Sequence, residues 1–294
     1  MNVDLFDDEM FEEEPPPPER PPRAPRKRRG SGETAKRVLV ALPWIAFAIA
    51  ITVAGDYVFA AAMVAIGIVA VREFAAMAAR HRPLIVPAYI AVAGLIAAAY
   101  FGTSYSVLMV LAASVPLLFA FAARAGFREG ATVSLGVTLL GVVWIGVPLA
   151  HAVFLRELPH HGAALLIDVL VGTFVTDTAA YATGRMFGSH KIAPRLSPNK
   201  TIEGLIGGFV IGTMGFWFAG LYQDWLSGTD ALIIGAAVAA TAPIGDLFES
   251  MMKRDLGTKD TGTLFGPHGG LLDRLDAVFF TVVVGYYLAV AVVY

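Results

Sequence analysis

The sequence predicts an all-α, polytopic integral membrane helix bundle, and three observations carry that prediction. Of 294 residues, 56% are hydrophobic and 16% charged, against about 45–50% apolar and about 25% charged in an ordinary soluble domain. The apolar residues are concentrated beyond Arg37 in runs of about 20, the length at which a helix crosses a roughly 30 Å hydrocarbon core. The runs are rich in Ala, Gly, Leu and Val without period-2 alternation, so the backbone satisfies its own polar groups as helix and not as a barrel. A soluble enzyme built on one buried core is excluded. Cys is absent, which removes disulfides, thiolate metal sites and thiol nucleophiles together. Any metal must be held by oxygen or imidazole.

Taken in order, residues 1–37 are expected to be a disordered cytoplasmic tail. Asp4, Asp7, Asp8, Glu9, Glu12, Glu13, Glu14 and Glu19 precede Arg20, Arg23, Arg26, Lys27, Arg28 and Arg29, with Pro15 to Pro18 between. Such a stretch has no apolar periodicity and cannot bury enough surface to offset ordering. It does not read as a cleavable signal, in which the positive region comes first. Nine spans are expected to follow, at approximately 38–54, 57–79, 84–101, 104–123, 131–155, 162–184, 204–222, 231–248 and 271–294. No internal repeat is evident.

Cytoplasmic flanks of spans are enriched in Lys and Arg. With the N-terminus inside, all of the 22 Lys and Arg except Arg156 fall on that side, which supports nine spans and a cytoplasmic N-terminus. Residues 38–160 read as a transmembrane scaffold, in which Arg72 and Glu73 lie at a span end, solvated or against lipid headgroups. Residues 161–294 read as the catalytic region, because two inside connections, 185–203 and 249–270, are long, Gly- and Pro-rich and dense in polar groups. Functional loops sit at the ends of rigid scaffolds.

The composition of these loops points to a polyphosphate and a divalent cation. Asp246 at the end of the eighth span, with Asp273 and Asp276 at the start of the ninth, are positioned to converge on one hard cation. Asp273 and Asp276 are three apart and share a helix face. Lys253, Arg254, Lys259 and Arg274 neutralise phosphate charge, and Gly269-Gly270 ahead of a helix lets backbone N–H groups approach an anion. Taken singly, a basic residue at a membrane boundary is expected from topology alone; the density of these groups is what favours a site. Glu249 and Asp255 are left as solvated or structural groups. Asp177 lies about eight residues before Arg185, on the order of 12 Å inside the cytoplasmic end. An acid at that depth should face the bundle interior, and Tyr181 and Arg185 continue its stripe toward the loop.

Two blocks carry a resemblance to a known family. The stretch Ser250-x-x-Lys253-Arg254-x4-Lys259-Asp260-x-Gly262-x2-Phe265-Gly266-x-His268-Gly269-Gly270-x-x-Asp273-Arg274-x-Asp276 resembles the signature of the phosphatidate cytidylyltransferases, or CDP-diglyceride synthases. The upstream block from Asp177 through Tyr181, Arg185, His190, Lys191, Ser197, Pro198, Asn199, Lys200, Thr201 and Glu203 is similar to that family's other characteristic stretch. The resemblance implies transfer of CMP from CTP to phosphatidate, giving CDP-diacylglycerol and pyrophosphate, in membrane phospholipid biosynthesis. It implies Asp246 and Asp273 as principal metal ligands with Asp276 in support, and Lys253, Arg254 and Arg274 as phosphate holders. Ser250 then bonds a phosphate or metal-bound water, His268 with Gly269 and Gly270 shapes an anion loop, and Lys259 and Asp260 organise it. Ser197, Asn199, Lys200, Thr201 and Glu203 are expected to contact nucleotide or lipid phosphate. Magnesium is the implied metal, with potassium conceivable as a second cation, and a homodimer is the implied assembly.

Two other classes compete. An ion-coupled transporter suits intramembrane Asp177 and Asp246, but the polar groups gather on one membrane side, whereas alternating access favours midplane sites. A CTP-dependent lipid kinase shares the nucleotide and differs in which phosphorus is attacked. No nucleic acid partner is expected; the basic tail reads as topology control or attraction to an anionic leaflet.

Overall fold

The computed structural model describes residues 31–126, 129–262 and 269–294, with side chains from Pro43 onward. His268 and nearly all of the expected tail lie outside the described residues. Two units are distinguished, Met1–Trp44 and Ile45–Tyr294. The first contributes the start of helix α1, Ser31–Ala54, and all that follows concerns the second.

The chain is a polytopic helical membrane protein. After α1 come α2 (Asp56–Met77), α3 (Ile85–Phe101), α4 (Ser104–Arg124), α5 (Ala131–Arg156), α6 (Gly162–Phe187), α7 (Ile202–Gly220), α8 (Gly228–Asp255) and α9 (Leu272–Val292). Seven described helices, α2 and α4 to α9, are long and apolar enough to cross a membrane; Pro43–Ala54 and α3 are shorter apolar stretches. The expected spans thus appear as helices with shifted ends.

The shifts have local causes. Helix α7 starts two residues early because Thr201 caps it, its hydroxyl accepting from Gly204 N at 3.1 Å. Helix α8 starts early at a Ser227 cap that accepts from Asp230 N. It also continues seven residues past the expected end, to Asp255. There Gly257, at φ +74°, closes it with Gly257 N donating to the Arg254 carbonyl and Thr258 N to the Lys253 carbonyl, the paired bonds of a glycine-terminated helix. Residues 249–255, expected in a loop, are therefore helical, and the connection to α9 is shorter than the sequence suggested. The other expected loop holds an antiparallel pair, β1 (Lys191–Ala193) and β2 (Ser197–Thr201).

Helix α5 carries one π-turn, Val142–Gly146, just ahead of Pro148. Proline has no N–H to return to the preceding turn, and the wider turn accommodates that loss. The turn carries Trp144 into the core, where its ring meets Phe74 of α2, Phe248 of α8 and Phe279 of α9 edge-on at 5.9, 5.2 and 6.3 Å. Scaffold and C-terminal helices share this aromatic contact.

Helices α6 and α7 meet through glycine. A Cβ on Gly208 would lie 2.8 Å from Ala180 Cβ and 3.0 Å from the Thr176 carbonyl, and one on Gly212 would lie 2.0 Å from Thr176 Oγ1. Without side chains at these positions the backbones approach closely, which is how helices associate where lipid removes the hydrophobic drive. The pairing brings β2, with its Lys200, to Pro243 and Asp246 of α8. Gly212→Val is expected to push the two helices apart and to lower stability by about 1–3 kcal/mol. The detergent-solubilised variant should show a lower thermal unfolding midpoint than wild type.

Candidate functional site

Helices α8 and α9 bring three carboxylates together. Asp246 and Glu249, three apart on α8, and Asp276 on α9 each offer an oxygen, and these oxygens all lie within 4.8 Å of one another. Gly245 permits the approach: a Cβ there would stand 2.4 Å from the Asp276 carbonyl oxygen and 2.9 Å from Ala277 Cα. The cluster extends to Asp177 of α6, which interacts electrostatically with Asp246 and Asp276.

Cations and donors surround the group. Lys200 of β2 pairs with Asp246 at 2.7 Å and also reaches the Pro243 carbonyl at 3.4 Å. Lys253, one turn beyond Glu249 on α8, donates at 2.7 Å to Glu249 Oε2 and at 2.7 Å to Asp273 Oδ1. Asp273 Oδ2 accepts from Thr261 N at 3.0 Å, Thr261 Oγ1 at 2.8 Å and Gly270 N at 2.8 Å. Asp273 is thus saturated by the chain itself.

Glu249 contrasts with it. The residue is 1% exposed, and its Oε1 is buried with no hydrogen-bond partner among the described residues. A carboxylate oxygen left bare in a membrane bundle is costly. Three converging carboxylates, one with a buried oxygen unpartnered among the described residues, fit a hard divalent cation with oxygen ligands. Of the two expectations for Glu249, solvated or structural, the first is corrected: it is buried within the cluster. The described geometry makes Glu249, not Asp273, the third member with Asp246 and Asp276. Asp273 shares the helix face as expected but turns its oxygens to Lys253, Thr261 and Gly270.

Other expected residues are distributed around this centre. Arg254 and Arg274 are exposed beside it on α8 and α9, Ser250 is half-buried on α8, and Lys259 and Asp260 are exposed in the connection. Ser197 is half-buried and Asn199 exposed on β2, while Thr201 is buried as the α7 cap. Glu203 accepts from His190 through N at 3.2 Å and Nδ1 at 2.7 Å, fastening the hairpin to α7. Arg185 donates to the Tyr181 hydroxyl at 3.0 Å, and Tyr181 is 65% exposed. The stripe expected from Asp177 therefore divides, with Asp177 toward the carboxylates and Tyr181 with Arg185 outward. Gly269, at φ +84°, lies against the Asp273 carboxylate, and the Gly270 N–H is spent on Asp273.

The sequence offered signals for what it missed. Glu249 is three residues from Asp246 and four from Lys253, the spacings that share a helix face, once α8 is carried past Phe248. Glu73 is an acid within an apolar run, a position that ordinarily has a partner. Thr261 carried no signal beyond its place in the block.

A membrane helix bundle that combines a carboxylate cluster with paired lysines has the groups that suit a phosphate ligand and a cation. The cytidylyltransferase family model matches residues 35–292, and the chain belongs to that family. It is 41% identical over 125 residues to the phosphatidate cytidylyltransferase of Haemophilus influenzae, covering 41% of this chain and 43% of that protein. It is 38% identical over 156 residues to that of Thermotoga maritima, covering 51% and 58%. With the Mycobacterium leprae enzyme of the same name the figures are 34% over 149 residues, 51% and 47%. The chain spans about half the length of these relatives.

Removing Lys253 leaves the buried Glu249 without its cation and takes from Asp273 one of its four donors among the described residues. Lys253→Met is expected to cost about 3–5 kcal/mol, the range for breaking a buried pair by deleting one partner. The exposed Lys259→Met serves as the comparison in thermal unfolding, and equal midpoints would show that the Lys253 contacts carry no stability.

Proposed function

We propose that this protein transfers CMP from CTP to phosphatidate, producing CDP-diacylglycerol and pyrophosphate, at a site on the cytoplasmic face of the cell membrane. The observation that carries the proposal is the juxtaposition of Asp246, Glu249 and Asp276 with Lys200 and Lys253 in a chain of the cytidylyltransferase family. The names of the relatives supply the substrates, and the Lys and Arg distribution supplies the side.

The chemistry matches the residues. A phosphate monoester loses its second proton near pH 6, so the phosphatidate oxygen is already a nucleophile. It attacks the α-phosphorus of CTP, a new P–O bond forms, and the bond to the bridging α–β oxygen breaks with pyrophosphate departing. The remaining demand is positioning and neutralisation of charge. Lys200, on the hairpin, reaches Asp246, and Arg254 and Arg274, exposed next in sequence to Lys253 and Asp273, suit the phosphates. A nucleophilic triad is not needed.

Asp246, Glu249 and Asp276 would hold magnesium, with potassium as a second cation. Bound there, the ion supplies Lewis-acid neutralisation of substrate phosphates. The homodimer and the potassium rest on the family resemblance alone.

The transporter reading lacks support, since the carboxylates and lysines are gathered with the family's motif. The kinase reading is separated by experiment. Purified protein with phosphatidate, magnesium and CTP labelled at either the α- or the γ-phosphate should place only α-label in the lipid and release pyrophosphate. γ-Label in the lipid would mean a kinase, and no turnover with phosphatidate would end the proposal. Glu249→Gln should lose magnesium-dependent turnover and weaken Mn2+ binding followed by electron paramagnetic resonance. Unchanged Mn2+ affinity would remove Glu249 from the metal site.

A further inference from the structure

We infer that Glu73, on the scaffold helix α2, is a positioning residue for the proposed transfer: it fixes the first turn of α9 and thereby sets Asp276 against Asp246 and Glu249. The inference rests on the function proposed above.

Glu73 is 8% exposed, not solvated or turned to headgroups as its place in the sequence suggests. Its Oε1 accepts from Leu271 N at 2.9 Å and its Oε2 from Leu272 N at 2.9 Å, with Thr261 Oγ1 at 3.5 Å. The first N–H groups of a helix have no intrahelical partner, and a negative charge is favoured beside them. Asp273 takes the neighbouring Gly270 N–H. Three successive N–H groups at the start of α9 are therefore occupied by carboxylates of the chain itself. The anion expected at this helix start is Glu73, and substrate phosphate is left to the side-chain cations.

Two motif glycines fit around the same carboxylate. A Cβ on Gly262 would lie 2.7 Å from Glu73 Oε1, and one on Gly270 would lie 2.6 Å from Glu73 Oε2 and 2.4 Å from Thr261 Oγ1. Only a residue without a side chain leaves the acid room at both places. The turn after α2 holds the other end of the connection, where the Arg80 guanidinium donates to the carbonyl of Asp255, the last residue of α8. Helix α2 and its following turn thus grip the α8–α9 connection at both ends. Asp276 lies one turn beyond Leu272, so a shift of the first turn is carried to the carboxylate cluster.

Wild type and Glu73→Gln, purified in detergent, are compared by kcat and KM for CTP at saturating magnesium and by amide hydrogen exchange over residues 269–276. Asp168→Asn, a buried acid paired with Gln223 at 2.7 Å outside the site, is the control for loss of any buried carboxylate. Glu73→Gln should lower kcat per folded molecule on the order of 10–100-fold, leave KM for CTP near wild type, and speed exchange at residues 271 and 272. The control should keep the wild-type kcat. A kcat that falls only with the folded fraction, or unchanged exchange at 271 and 272, overturns the inference. If Glu73→Gln does not fold, Glu73→Asp keeps the charge and withdraws it by one methylene; a wild-type kcat there overturns the inference as well. If the wild type turns nothing over, the proposed function falls and the exchange measurement decides the positioning role by itself.

Discussion

The site is organised by the cost of an ionised carboxylate among apolar helices. Such a group is retained only where cations, N–H donors or a metal compensate for lost water. Glu73, Asp177, Asp246, Glu249, Asp273 and Asp276 are brought into one region, and the local structure answers that demand. The hairpin brings Lys200 to Asp246. The extension of α8 brings Lys253 between Glu249 and Asp273. The connection delivers Thr261, and the start of α9 delivers its unpaired N–H groups.

Helix existence was legible because composition and length suffice for it: a run of about 20 apolar residues has few other fates. Helix ends were less legible. The end of α8 depended on Gly257, whose backbone conformation closes the helix seven residues beyond Phe248. That extension moved Glu249 from an expected loop onto the face it shares with Asp246. Asp246, Asp276, Lys200 and Lys253, all singled out from the sequence, stand near one another in the structure. The motif could not separate an acid that completes a carboxylate cluster from one that orders the backbone, because both are aspartates at the start of one helix. The distinction lies in which donors reach each oxygen. Glu73 was the least legible of the group, since its partners are the backbone N–H groups of residues almost two hundred positions away.

Two kinds of carboxylate emerge from that distinction. Glu73 and Asp273 are held by donors on both oxygens and act on the protein, fixing the helix start and the connection. Asp246, Asp276 and Glu249 converge across the α8–α9 contact, and the Oε1 of Glu249 is buried without a partner among the described residues. The proposed transfer, which handles a triphosphate beside a metal, would use both kinds. Ligands that collect charge repel one another, and a rigid frame must hold them together until a cation arrives. Glycine provides that frame with room: Gly245 lets α9 approach α8, while Gly262 and Gly270 leave space for Glu73. On the inference drawn above, two motif glycines, Gly262 and Gly270, leave room for a scaffold acid outside the motif to hold the helix on which a candidate ligand stands.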